Sequence, residues 1–132
     1  MAEDAGKLVL RVTLGVLVLL HGIAKVVNGP SHILGMMDQI GMPEVFGYAV
    51  YIGEVLAPIL VIIGLFTIPA ALIIMVNMIF AIVLAHSHQL FSLTKSGGWA
   101  LELQGMFLFG ALAVALLGAG RYSAGGRYGK WN

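Results

Sequence analysis

Apolar residues along this chain arrive in four long blocks separated by short polar breaks. The blocks cover residues 8–27, 46–66, 69–86 and 99–117. Each is close to the ~20 residues that an α-helix needs to cross a bilayer. The pattern predicts an all-α fold, an integral membrane four-helix bundle that makes one domain of residues 1–132. Residues 64–69 read as a tight turn, with Thr67 placed to cap the third helix and Pro69 suited to its first turn.

Between the first two spans lies NGPSHILGMMDQIGMPE. Ser31 can cap a short helix after Pro30, and Ile33, Leu34, Met36, Met37 and Ile40 cluster near helical spacing. The expectation is a short amphipathic helix in the membrane interface; a loop packed on the bundle is the alternative. The tail GAGRYSAGGRYGKWN, with its glycines and basic residues, reads as a solvated end. Small residues form stripes, Gly15, Gly22 and Gly29 at intervals of seven and Ala81 with Ala85, and such stripes let membrane helices approach closely.

Composition sharpens the membrane assignment. Hydrophobic residues make up 60% of the 132 residues and charged ones 10%, against about 25% charged in soluble domains. A net charge of +1 supplies no basic stripe for nucleic acid. The absence of cysteine excludes disulfides and thiolate metal sites. The start, MAEDAGK, is acidic before it is basic, and no cleavable signal peptide is expected. Lys7, Arg11, Arg121, Arg127 and Lys130 fall on the side of the termini, Lys25 and Lys95 on the other. That bias predicts cytoplasmic N- and C-termini in a multi-pass membrane protein.

Candidate chemistry comes from the polar residues inside the apolar blocks: Arg11, His21, Lys25, Glu54, Asn77, His86, His88, Glu102 and Gln104. An ionised side chain at the bilayer centre costs from ~3 to above 10 kcal/mol, so these residues should face the bundle interior or the interface. Arg11, near the start of its span, is expected to snorkel to the headgroups. His21 lies ~9 Å below the end of span one and Glu54 ~12 Å into span two, at 1.5 Å per residue. Lys25 sits one turn from His21 on the same face. His86 and His88 close span three, and Glu102 opens span four one turn after Trp99. His21, Lys25, Glu54, a span-three histidine and Glu102 therefore meet at one level in the outer half of the bundle. His88 shares a helical stripe with Asn77, Ala81 and Ala85, while His86 points elsewhere. Pro58, one turn after Glu54, is expected to kink span two and open room beside it.

Such a cluster can simply pin four helices in register through interhelical hydrogen bonds. As a pocket it suits a quinone headgroup, whose carbonyls accept hydrogen bonds and whose reduction takes up protons; His21 and Glu54 are the candidate proton donor and relay. Lys25, His86, Glu102, Asn77 and His88 are candidate ligand-binding residues. A metal bound by His21, Glu54, His86 and Glu102 is a weaker reading, because no tight ligand motif is present. Haem held between His21 and a span-three histidine has no other support in the sequence.

These residues carry a resemblance to the DoxX family of small four-helix membrane proteins. Span one reads RVTLGVLVLLHGIAK, with Arg11, Gly15, His21, Gly22 and Lys25; the linker has IGMP; span two reads YIGEVLAPILVIIGLFT, with Glu54, Gly64 and Thr67. Span three ends IVLAHSHQLF, which favours His86 as the family histidine, and span four opens GGWALEL with Glu102. The tail GAGRYSAGG is similar to the family's Gly-x-Gly-Arg-x-Ser signature, but Gly125 and Gly126 stand where an aspartate usually follows. The order of these motifs, more than any one of them, carries the resemblance. Founding members look like membrane subunits of a thiosulfate:quinone oxidoreductase, and others are linked to redox defence complexes. The resemblance implies a protein of a bacterial inner membrane with a quinone-linked or redox-partner role, a small redox-linked subunit binding a quinone or similar small ligand, within a larger membrane complex or a homo-oligomer. A non-catalytic anchor or assembly subunit is the alternative, and a small-molecule or ion transporter the third reading.

Overall fold

The computed structural model describes residues 2–28, 41, 48, 52–85, 93, 97–98, 101–126 and 128–132. Every element among them is helical. Helix α1 runs Ala2–Asn28. A π-helical turn over Ile52–Leu56 leads straight into α2, Ala57–Ile63. Helix α3 is Thr67–Ala85 and α4 is Glu102–Leu117. The expected interfacial helix between spans one and two lies outside the described residues, as do His86, His88 and Trp99.

The helix bounds depart from the apolar blocks for local reasons. Helix α1 starts ahead of its block because Glu3 and Asp4 occupy its first turn, where a helix N-terminus favours negative charge. Helix α2 stops at Gly64, whose backbone turns left-handed (φ 75°), a conformation glycine adopts without steric cost. Helix α3 begins at Thr67, so Pro69 sits in its first turn. Thr67 is not the side-chain cap: its N–H receives the cap and its buried hydroxyl has no hydrogen-bond partner.

One apolar stripe per helix builds the core. Leu14 and Val18 come from α1, Ala57 and Val61 from α2, Ala70, Ala71, Ile74 and Met78 from α3, and Phe107, Ala111 and Val114 from α4. Packing is most extensive between α3 and α4, then between α1 and α2. The outside is apolar as well: α1 exposes Val9, Leu20 and Val27, α3 exposes Val76 and Val83, and α4 exposes Met106 and Leu116. Helix α1 is, among the described residues, the one helix long and apolar enough to cross a membrane by length and composition. The described apolar runs of the others are shorter: Glu54–Ile63, Thr67–Val83 and Leu103–Leu117. Helix α3, at 19 residues, still rises ~28 Å, close to the ~30 Å of a bilayer core.

The tail exposes Arg121, Tyr122, Tyr128, Lys130 and Trp131, yet it is not a free end. It folds back and closes the helix termini at one end of the bundle. The last carbonyls of α2 would otherwise lack donors, and each has one. Leu60 O accepts from Gly64 and Leu65 N–H, and Ile63 O from Ala124 N–H. Val61 O and Ile62 O accept from the Arg11 guanidinium at 2.8 and 2.7 Å. The first N–H groups of α3 are covered likewise. Thr67 N–H donates to Asn132 Oδ1, Ile68 N–H to Trp131 O and Ala70 N–H to Phe66 O, while Pro69 has none to cover. Beyond α4, Ala119 N–H donates to Asn132 O, and Arg121 N–H reaches Asp4 Oδ1 at the start of α1.

Arg11 accordingly does not snorkel. It is 1% exposed and also donates to Tyr122 O. Helix α2 ends at its level, and the negative end of that helix dipole attracts a cation. Three carbonyls from two segments replace the headgroups that depth alone suggested.

Candidate functional site

The site begins with the π turn. In a continuous α-helix the Pro58 ring would press on the carbonyl four residues earlier, that of Glu54, and would supply it no donor. The widened turn over Ile52–Leu56 moves that carbonyl aside. It rests against α1 at Gly22, where a Cβ would overlap the Glu54 carbonyl group. Gly15, two turns away, repeats the approach: a Cβ there would meet Ile62 Cγ1 at 2.5 Å and Pro58 O at 3.1 Å. Two glycines seven residues apart thus set how closely α2 lies on α1.

This approach buries Glu54 to 2% exposure. Asn77 of α3, also buried, donates from Nδ2 to Glu54 Oε1 at 3.0 Å. A cavity of about 190 Å³ opens beside the carboxylate, lined by Val18, His21, Glu54, Met78, Ala81, Leu103, Gln104 and Phe107. Helix α1, the π turn, α3 and α4 each contribute to it. The His21 ring meets the Phe107 ring edge-on, with centroids 5.6 Å apart and planes at 76°. His21 itself is exposed on the α1 surface, so one wall of the cavity reaches the outside.

Of the residues singled out in the sequence, the structure brings His21 and Glu54 to one cavity and ties Asn77 to Glu54. Lys25 is on α1 one turn beyond His21, and Glu102 is the first residue of α4; their side chains lie outside the described residues, as do His86 and His88 entirely. Among the described residues no group of three or more His, Asp or Glu side chains is placed to hold a metal ion. Gln104 is the lining residue that depth did not select. Its signal was periodicity: Gln104, Phe107, Ala111 and Val114 follow the inward stripe of α4.

The chemistry of the cavity is that of a small hydrogen-bonding ligand. His21 and Gln104 carry N–H donors, Glu54 a carboxylate, and Val18, Met78 and Phe107 an apolar floor. A cavity of about 150 Å³ admits a benzene ring, so the space here suits one six-membered ring.

Residues 6–87 match the protein-family model described as DoxX. The match takes in α1, the π turn, α2 and α3, and ends before α4. No curated protein and no solved structure matches the chain.

Proposed function

The chain belongs to the DoxX family, and from that premise we propose that it is a multi-pass protein of a bacterial inner membrane, a small redox-linked subunit that binds a quinone headgroup beside Glu54. The apolar exterior on α1, α3 and α4 supports the membrane location, since exposed apolar surface on this scale is unfavourable in water. The observation that carries the ligand reading is the polar-lined cavity itself. Four helical segments converge on it, and Glu54 is buried at its wall.

In this reading Gln104 and His21 donate to the quinone carbonyls, and Phe107 packs on the ring. His21 carries an imidazole N–H and reaches the surface, so it is the group placed to pass protons to the carbonyl it contacts. Glu54, held by Asn77, hydrogen-bonds the hydroxyl that reduction creates. Reduction to quinol takes two electrons and two protons; a partner subunit supplies the electrons.

The Asn77–Glu54 hydrogen bond favours a second reading, a non-catalytic anchor or assembly subunit in which the polar groups pin helices. Gentle purification from native membranes followed by mass spectrometry of bound small molecules separates the two. Quinone recovered with the wild type and lost from Glu54→Gln and His21→Ala supports the first. A stoichiometric protein partner with no bound small molecule supports the second.

A further inference from the structure

The polar cavity has an apolar neighbour. A groove of about 570 Å³ runs along the outside of α1 and α4. Val9, Thr13, Leu14 and Leu17 form its α1 wall, and Phe107 and Gly110 its α4 wall. It follows α1 from Ala5 to Leu17, a rise of ~18 Å. Phe107 lines both spaces, with the groove on one side and the His21–Glu54 cavity on the other. On α1 the two linings are contiguous, Leu14 and Leu17 giving way to Val18 and His21.

The geometry points to an amphiphilic ligand: a ring headgroup in the cavity and a hydrocarbon or isoprenoid tail laid in the α1–α4 groove, with Phe107 as the wall it passes. The inference rests on the reading of the cavity as a headgroup site. A hydrogen-bonding space for one ring that adjoins a long, predominantly apolar channel fits a single molecule with both parts. Gly110 keeps the groove open, because a Cβ there would touch only Leu14 Cδ1, at 3.4 Å. The tail gains little from the hydrophobic effect, since bilayer lipid is as apolar as the groove. Its contribution is close packing and a fixed exit direction for the headgroup.

The test compares 2,3-dimethoxy-5-methyl-1,4-benzoquinone, which has no tail, with its 6-decyl derivative. Both are titrated against wild type, Gly110→Leu and Thr13→Phe in the same micelles, and the affinity ratio of tailed to tail-less probe is read for each protein. Partition of the tail into micelles is common to all three and cancels. Groove filling should lower the ratio by about tenfold, the scale of a steric conflict in a packed site. An unchanged ratio in both folded variants, with the tail-less probe still binding, overturns the tail subsite and leaves the headgroup reading standing. Failure of the tail-less probe to bind the wild type removes the headgroup reading, and the tail subsite with it. Protection of the groove by a second copy of the chain instead would appear as a dimer that Gly110→Leu dissociates, and would also overturn the inference.

Discussion

Gly22 of α1 lies directly against the backbone carbonyl of Glu54, with no room for a side chain between them. The contact joins the small-residue stripe of α1 to the π turn that carries the buried carboxylate. Gly22→Ala must therefore push α2 away from α1 or distort the turn. Overpacking of this kind costs about 1–3 kcal/mol, because the atom met is backbone. Gly6→Ala is the control: its Cβ would enter open space and should stabilise α1 by about 0.5–1 kcal/mol. Unfolding in detergent reads both. Equal stability of Gly22→Ala and wild type would contradict the close approach.

The Asn77–Glu54 hydrogen bond predicts a separation of stability from ligand binding. Asn77→Ala should lower stability by about 0.6 kcal/mol, the average for interhelical hydrogen bonds in membranes. Glu54→Gln keeps an acceptor for Asn77 and should unfold close to wild type, yet lose the carboxylate from the cavity wall. A double-mutant cycle over the two positions isolates their coupling. Zero coupling would show that the bond contributes nothing.

Arg11 should be intolerant of lysine. Its fork serves Val61 O, Ile62 O and Tyr122 O together, and an ammonium cannot reproduce that planar geometry. Arg11→Lys is expected to cost about 1.5–3 kcal/mol, the range for hydrogen bonds to charged groups. Protease should also cut sooner near Tyr122, because the tail loses its tether. Wild-type stability and protection in Arg11→Lys would return Arg11 to the snorkelling role.

Asn132 joins the tail to the start of α3 through Thr67 N–H and holds Ser123 Oγ and Gly126 O through Nδ2. Asn132→Ala leaves a buried N–H of the α3 terminus without its acceptor, at a cost of about 1–3 kcal/mol. Hydrogen exchange at Thr67 should accelerate while exchange at Ile74 in the core stays slow. Unchanged exchange at Thr67 would show that the cap is not made.

Much of this arrangement was legible in the sequence, and the remainder has identifiable causes. The glycine stripe at 15 and 22 and the meeting of His21 with Glu54 follow from helical spacing and rise. Pro58 announced a break beside Glu54, but its form as a π turn depends on α1 offering Gly22 to receive the displaced carbonyl. Depth places Arg11 at the headgroups, whereas its partners are carbonyls 50, 51 and 111 residues along the chain. The tail looked solvated because its bonds are mostly backbone-mediated. Such bonds leave no apolar periodicity to read, and glycines that favour a flexible end equally allow a tight fold-back. Gln104 stands out in the sequence as a polar residue, but depth alone does not place it in the pocket; the stripe through Phe107 does.

The most direct test of the central claim is calorimetric titration of the tail-less benzoquinone into the wild type, Glu54→Gln, His21→Ala and Gly6→Ala. The account predicts saturable one-to-one binding in the wild type and in Gly6→Ala, and its loss in the two cavity variants while both remain folded. Equal binding across all four proteins, or none in the wild type, would contradict it and leave the polar cluster as a device that holds helices together.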